Sequence, residues 1–330
     1  MKKLILILMI AFSFACTKEE TADIADKSLM KVSSMTKSPT DFGHDTPVFL
    51  FWLDTDFAAL AQNPSTQPYL AAWPYSGIDT YNPGKQTYNT GKKYPENDQT
   101  VCCTGYFPST LTVGQQAGLP DWTVLTVPED NVGLTDVMVV EEHITGKSSS
   151  HFETKNPKEP LVFIHAQSKV NFAAKMGNEM AKNRYLRNVR VIIPGKDQFL
   201  TSFKWEDGRY IENEVLQDEA YKVTLQDPNP AQLDPNEINM RELGSVYIRP
   251  NQDKITFFLE VEMSESITFD SYEIIRTDEP TTLYFHTNGS DITLGEGDEF
   301  DINITILYDS FVVTGKKAEW QEGGKIPLPF

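Results

Sequence analysis

The sequence predicts an all-β protein made of two β-sandwich domains in tandem. Many short stretches alternate apolar and polar residues with a period of two, which is typical of half-buried strands. Turn dipeptides separate these stretches, and the chain has 20 prolines and 19 glycines. No stretch keeps a helical period. A length of 330 residues favours two domains over one.

The first 15 residues are predicted to be a signal peptide. Lys2 and Lys3 precede an apolar run over residues 4–14, which is too short to span a bilayer. The run ends in Ser13-Phe14-Ala15-Cys16, which resembles the lipobox of bacterial lipoproteins. That resemblance implies cleavage before Cys16 and acylation of its thiol, so that lipid anchors the chain without a membrane span. The alternative is an ordinary secretory signal followed by a chance cysteine.

Residues 16–44 are predicted to be a lipidated N-terminal tether, because they are polar and show little periodicity. The acidic Thr17-Lys18-Glu19-Glu20 resembles the tag that sends some lipoproteins to the outer surface. We therefore expect an outer membrane lipoprotein that is exposed at the surface or lies in a fimbria.

Residues 45–178 are predicted to form the N-terminal β-sandwich. Residues 47–53 are apolar on both faces, which indicates a strand between two layers or a strand covered by a loop. Further strands are predicted at residues 101–107, 122–127 and 137–144. Residues 161–172 are predicted to be one strand, with one face carrying Val162, Ile164, Ala166, Val170 and Phe172 and the other carrying His165, Gln167, Lys169 and Asn171.

Residues 179–330 are predicted to form the C-terminal β-sandwich. Apolar residues alternate at 189–193, 221–225, 255–261 and 300–308, and Gly295-Glu296-Gly297-Asp298 indicates a hairpin turn before the last of these strands.

The net charge and the cysteine content argue against a nucleic-acid-binding protein, a disulfide framework and a zinc site. The formal net charge of −18 becomes −20 when residues 1–15, with two lysines and no acids, are removed. This balance argues against nucleic acid as a partner. Cys102 and Cys103 are adjacent, so we expect one in the core and the other outward, with no disulfide framework and no zinc pattern.

No motif indicates catalysis, a metal or a cofactor. The five histidines show no short metal-ligand spacing, and His165 is interpreted as a structural hydrogen-bonding residue. No paired nucleophile and base stands out, so an enzyme is not expected. An aromatic loop offers possible ligand contacts at Trp73, Tyr75 and Tyr81, whose rings suit sugars or protein partners if they are exposed. The alternative is that these rings close one end of a sandwich.

Four features in this order resemble the fimbrillin-like family, the lipoprotein pilins and pilin-like surface proteins of Gram-negative anaerobes. They are the lipobox, Thr135-Asp136-Val137-Met138, the stretch over 163–170, and a C-terminal strand leading to residues 318–323. Gly105-Tyr106-Phe107-Pro108 also resembles a strand end of that family. The resemblance implies two tandem transthyretin-like β-sandwich domains.

The resemblance also implies a mechanism and partners. In members that polymerise, a protease removes the N-terminal segment with a first strand, and a segment of the next subunit fills the groove by β-strand addition. Here the first arginine is Arg184, so Lys31 and Lys37 are the candidate sites of maturation.

The C-terminal tail departs from a good donor strand. Its apolar Ile326, Leu328 and Phe330 alternate with Pro327 and Pro329, which remove two backbone N–H groups. These departures favour a minor, tip or anchor subunit with a role in adhesion, whose partners are other fimbrial subunits. The alternative is a stand-alone surface lipoprotein that binds a glycan or host protein without polymerising.

Overall fold

The structure is a computed structural model, and it describes residues 29–36, 47–53, 70–72, 75–78, 85–114, 122–147, 161–177, 185–206, 208–226, 233, 240–287, 290–307 and 311–317. Within these residues the chain is all-β, as predicted, and the helical content is one 3₁₀ turn, Glu129–Asn131. No helix among them is long and apolar enough to cross a membrane.

The strands follow one another closely along the chain. The first twelve are β1 (Leu29–Thr36), β2 (Val48–Leu53), β3 (Leu70–Ala72), β4 (Tyr75–Ile78), β5 (Lys85–Lys93), β6 (Val101–Phe107), β7 (Thr112–Gly114), β8 (Val124–Thr126), β9 (Met138–Val140), β10 (Ile144–Gly146), β11 (Leu161–His165) and β12 (Ser168–Met176). The remaining twelve are β13 (Tyr185–Pro194), β14 (Leu200–Glu206), β15 (Arg209–Val215), β16 (Lys222–Gln226), β17 (Arg241–Ile248), β18 (Lys254–Ser264), β19 (Glu273–Arg276), β20 (Thr281–Tyr284), β21 (His286–Thr287), β22 (Ser290–Asp291), β23 (Glu299–Ile306) and β24 (Phe311–Lys317).

These strands form four main sheets. The first sheet has the order β3-β2-β6-β9-β11-β1-β5-β4, with β10 also paired to β6. The second is β17-β12-β23-β24, the third is β16-β13-β18-β19 with β20 on β18, and the fourth is β15-β14-β8-β7. Alternation explains their faces: in β23 Phe300, Ile302, Ile304 and Ile306 are buried, while the residues between them are partly exposed.

Aromatic pairs mark how the sheets pack. Phe172 of the second sheet meets Phe257 of the third edge to face, with ring centroids 5.3 Å apart. Tyr106 of the first sheet meets Tyr210 of the fourth in the same way, at 5.8 Å. The sheets therefore pack in two face-to-face pairs, as in β-sandwiches. The tandem transthyretin-like topology itself stays a prediction.

Strand pairing crosses the expected domain boundary. β12 ends before residue 178, yet it pairs antiparallel with β17 and parallel with β23. One continuous apolar cluster, cluster 1, also extends from Val48 to Ile306. The division into residues 45–178 and 179–330 stays a prediction, and the second sheet draws strands from both sides of it.

The stretch over residues 161–172 is not one strand, so that prediction is wrong. It forms β11 in the first sheet and β12 in the second, and Ala166 and Gln167 are buried at the crossing. The faces of β12 are as predicted, with Val170 and Phe172 buried. In β11 they are reversed, because Leu161, Phe163 and His165 are the buried residues. His165 makes a structural contact, with its Nδ1 atom 2.7 Å from Asp136 Oδ1.

The centre of the first sheet is buried on both faces, in keeping with the apolar character of residues 47–53 on both faces. In β6 every residue is buried, and Cys102 belongs to cluster 1 while Cys103 belongs to a second cluster on the opposite face. Neither cysteine forms a disulfide. The expectation of one outward cysteine is wrong, because both faces of this strand are covered.

Tyr106 makes stability sensitive to alkali. Burial raises its pKa to about 12, so the folded chain holds the phenol proton more tightly than the unfolded chain. The stabilisation is complete below pH 10 and is lost as the pH rises through 12. As the pH rises from 9.5 to 11.5, the unfolding free energy of the wild type should fall by about 2 kcal/mol more than that of Tyr106→Phe. Urea denaturation at the two pH values measures this difference. An equal loss in both proteins would contradict the prediction.

Candidate functional site: the groove occupied by the N-terminal strand

The candidate site is the place of β1 in the first sheet. β1 pairs antiparallel with β5 from Leu29 opposite Lys93 to Met35 opposite Lys85. On its other side it pairs parallel with β11, with Ser34 opposite Leu161 and Thr36 opposite Phe163. β1 is thus paired along most of its length on the β5 side and over its last three residues on the β11 side, although β11 lies more than 120 residues further along the sequence.

β1 is the link between two parts of the first sheet. In the strand order, β3-β2-β6-β9-β11 lies on one side of it and the β4–β5 hairpin on the other. Among the described residues, the pairing of that hairpin to the rest of the sheet runs through β1. Removal of β1 would thus open a strand-wide gap with an unpaired backbone edge on each side, of the kind that templates pairing with another chain.

Met30 fixes β1 in the core of this groove. Its side chain is fully buried in the second cluster, which we call cluster 2. Cluster 2 comprises Met30, Phe49, Phe51, Tyr94, Val101, Cys103, Phe107, Met138, Val140, Leu161 and Phe163. An edge-to-face pair of Phe49 and Phe163, with centroids 6.2 Å apart, lies in it. Loss of β1 would remove an apolar side chain from this cluster and leave an apolar groove.

The described core of the groove includes one thiol, that of Cys103. Burial raises the pKa of the Cys103 thiol well above its usual value, and neighbouring Cys102 raises it further, so the thiol stays protonated. No group of three or more His, Cys, Asp or Glu side chains in the described part of the chain is arranged to hold a metal. The arrangement holds an extended segment, β1, by backbone pairing and by the buried side chain of Met30.

The predicted site residues fall at different distances from this groove. Lys31 lies within β1, where its backbone pairs with Asn89, and Tyr75 begins β4 and pairs with the same Asn89 from the other side of β5. The structure therefore brings Lys31 and Tyr75 into one row, two strands apart. Cys16, Lys37, Trp73 and Tyr81 lie outside the described residues.

β1 was not predicted from the sequence. Residues 29–36 fell within the expected tether, because Leu-Met-Lys-Val-Ser-Ser-Met-Thr shows only weak alternation. Its strand conformation comes from the partners β5 and β11, which are distant in sequence. The single usable signal was an isolated group of Met30, Val32 and Met35 in a polar segment.

No protein-family model and no curated protein matches this sequence. Among solved structures it is similar to a "putative cell adhesion protein" from Bacteroides uniformis, with 11% sequence identity, a TM-score of 0.50, and coverage of 90% of this chain and 99% of that chain. It is also similar to the tip fimbrial protein Mfa3 from Porphyromonas gingivalis, with 8% identity, a TM-score of 0.40, and coverage of 88% and 99%. A fimbrial assembly protein from Parabacteroides distasonis matches with 11% identity, a TM-score of 0.38, and coverage of 88% and 96%.

The Bacteroides uniformis protein is of the kind that the resemblance to fimbrillin-like proteins implies. The likeness to the Bacteroides uniformis protein runs over nearly the whole of both chains. The chain has the all-β fold of that cell adhesion protein.

Proposed function

We propose that this chain is a fimbrillin-like surface lipoprotein that takes part in a fimbria assembled by β-strand addition. It is anchored in the outer membrane by lipid on Cys16 and serves as a minor, tip or anchor subunit with a role in adhesion. The observation that carries the proposal is the pairing of β1 with both β5 and β11, together with the burial of Met30 in cluster 2. A strand near the N-terminus that completes a sheet between distant neighbours is the element that strand exchange replaces.

The position of β1 distinguishes the two candidate cleavage sites. Lys31 is the third residue of β1, so cleavage after it would leave five residues of the strand, Val32 to Thr36, attached to the chain. Lys37 directly follows the last residue of β1, so cleavage after Lys37 would detach the whole strand. A peptide bond inside a paired strand is also protected, because a protease needs an extended segment free of other partners. Lys37 is therefore the better maturation site.

We expect Lys37→Gln to block maturation by a lysine-specific protease. Limited digestion of the wild type should give a new N-terminus at Ser38, followed by oligomers that resist detergent on a gel run without boiling. In Lys37→Gln both the new N-terminus and the oligomers should be reduced at least tenfold. N-terminal sequencing and the gel provide the two readouts.

Lys31→Gln is the matched control, because it removes a lysine from β1 and leaves the site after the strand intact. It should be cut and should oligomerise like the wild type. A wild-type chain that stays monomeric after cleavage at Lys37 would argue against strand exchange. That result would support the non-polymerising surface lipoprotein instead, since release of β1 would then have no consequence for assembly.

A further inference from the structure

The outer face of the second sheet carries a cavity of about 450 Å³, which we call the β12 cavity. It lies on the side of β12 that faces away from Phe172 and Phe257 and their core. Its lining includes Lys169, Asn171, Ala173, Ser245, Glu299 and Asp301. Its volume is within the range of small-ligand pockets, which run from about 300 to 1,000 Å³.

A β-bulge shapes the floor of the β12 cavity. Phe172 pairs with Gly244, but the next residue, Ala173, pairs with Glu242, so β17 contains one extra residue at this point. Gly244 has a φ of 129°, a backbone conformation that favours glycine. Ala173 and Ser245 carry small side chains on this face, and they form a low region between longer side chains.

A hydrogen-bonded network orients the polar groups around this floor. Asn171 Nδ2 donates to Glu299 Oε1 at 2.6 Å and to Asp301 Oδ1 at 2.8 Å. Ser245 Oγ donates to Asn171 Oδ1 at 2.6 Å, and Lys169 Nζ donates to Glu299 Oε1 at 3.0 Å. The side chains are thereby fixed before any ligand arrives, which lowers the entropic cost of binding.

The network keeps Glu299 ionised. Burial alone would raise the pKa of this carboxyl, but the hydrogen bonds from Asn171 and Lys169 outweigh it and hold the pKa below its usual range. No described residue donates a hydrogen bond to Glu299 Oε2 or to Asp301 Oδ2. Each carboxylate thus keeps one acceptor oxygen for a ligand.

The chemistry of the lining selects one class of ligand. Three carboxylates, those of Glu242, Glu299 and Asp301, outnumber the one ammonium group of Lys169, which disfavours an anion. The described carboxylates are not grouped as metal ligands. Oriented acceptors lie beside the ammonium group of Lys169, which has further N–H donors besides the one given to Glu299, and a sugar hydroxyl can both donate and accept a hydrogen bond. Met240 and Ala173 offer apolar surface to the C–H face of a sugar ring.

We propose that the β12 cavity binds a neutral hexose unit of a glycan. The inference rests on the cavity and its network, and it does not depend on strand exchange. It gives the proposed adhesive role a ligand class and a place on the molecule that is separate from the groove of β1.

The test adds one aromatic ring inside the cavity or just outside it. Ala173→Tyr places a ring on the floor and should fill the cavity. Lys175→Tyr places the same ring two residues along β12, where Lys175 is also partly exposed but does not line the cavity. The probes are glucose, galactose, mannose and N-acetylglucosamine at millimolar concentration, with binding measured by saturation-transfer NMR on the full chain.

We expect transfer to at least one hexose in the wild type and in Lys175→Tyr, and at least a tenfold loss in Ala173→Tyr. Asp301→Asn, which keeps the shape of the side chain, should weaken binding by about tenfold if the free carboxylate oxygen accepts a sugar hydroxyl. No transfer to any of the four sugars, or equal transfer in Ala173→Tyr, would overturn the proposal. Binding of a lysine-rich peptide in place of the sugars would overturn it too.

The experiment separates this proposal from the proposed function. Oligomers that form after cleavage at Lys37 would support strand exchange whether or not a sugar binds. Sugar binding by a chain that never oligomerises would leave the β12 cavity assigned and refute only the polymerising role.

Discussion

Met30→Asp is expected to release β1 from the first sheet and to expose the groove. The native side chain is fully buried among the aromatic and aliphatic residues of cluster 2. Truncation of a buried methionine costs about 2–5 kcal/mol, and an ionised carboxylate in the same place costs more unless it reaches water. The carboxylate can reach water if β1 leaves the sheet. Ser34 to Thr36, directly before Lys37, are paired with β11 and become accessible to the protease when β1 leaves. We therefore expect cleavage after Lys37 to become at least tenfold faster, measured as the initial rate of appearance of the Ser38 N-terminus.

Met30→Leu is the matched control for this effect, since it keeps an apolar side chain of similar volume. It should change the unfolding free energy by less than about 1.5 kcal/mol and leave the cleavage rate close to that of the wild type. A dye that fluoresces on apolar surfaces should bind to Met30→Asp and not to Met30→Leu. If Met30→Asp is cleaved at the wild-type rate, β1 does not depend on Met30, and the groove is not an exchangeable site.

The strands that the sequence predicted well are those whose burial follows local alternation. β13, β18 and β23 appear where Val191, Phe257 and Phe300 with their alternate neighbours required one face to be buried. Period-two alternation is a property of a single strand, so it can be read without knowing the partner strands. The all-β class follows from the same signal.

Two features could not be predicted from the sequence because they depend on strands that are distant along the chain. β1 lacks a strong pattern of its own and is a strand because β5 and β11 pair with it. The break between β11 and β12 was hidden because Ala166 and Gln167 continue an apolar-polar alternation while the chain passes from one sheet to another. In both cases the pairing with distant strands determines the conformation, because the local sequence has no clear preference.

The β12 cavity was hidden for a similar reason. Lys169 and Asn171 lie on the polar face of a strand, as their alternation with apolar residues predicts. Their partners Ser245, Glu299 and Asp301 lie more than 70 residues away, and only the register of β12 with β17 and β23 brings them together. The aromatic loop could be recognised from its amino-acid composition, whereas this network can be recognised only from the three-dimensional structure.

Gly105→Ala is expected to destabilise the fold strongly, by about 3 kcal/mol. A Cβ atom at Gly105 would lie 2.4 Å from the carbonyl oxygen of Val48, so the backbones of β2 and β6 would have to separate. Since β6 contributes side chains to both clusters, a shift of this strand disturbs the packing on both faces of the sheet. Urea denaturation should show a lower midpoint with an unchanged slope.

Gly114→Ala gives the matched control, because its Cβ would meet no atom closer than 3.7 Å and the change should stay within about 1 kcal/mol of neutral.

The comparison of Gly105→Ala with Met30→Asp is the decisive one for the mechanism of strand release. Gly105→Ala weakens the whole sheet, whereas Met30→Asp weakens the hold on a single strand. Strand exchange requires that β1 can leave while the remaining fold persists. Cleavage after Lys37 should therefore accelerate far more in Met30→Asp than in Gly105→Ala at equal loss of stability, and equal acceleration would mean that β1 is released only by global unfolding.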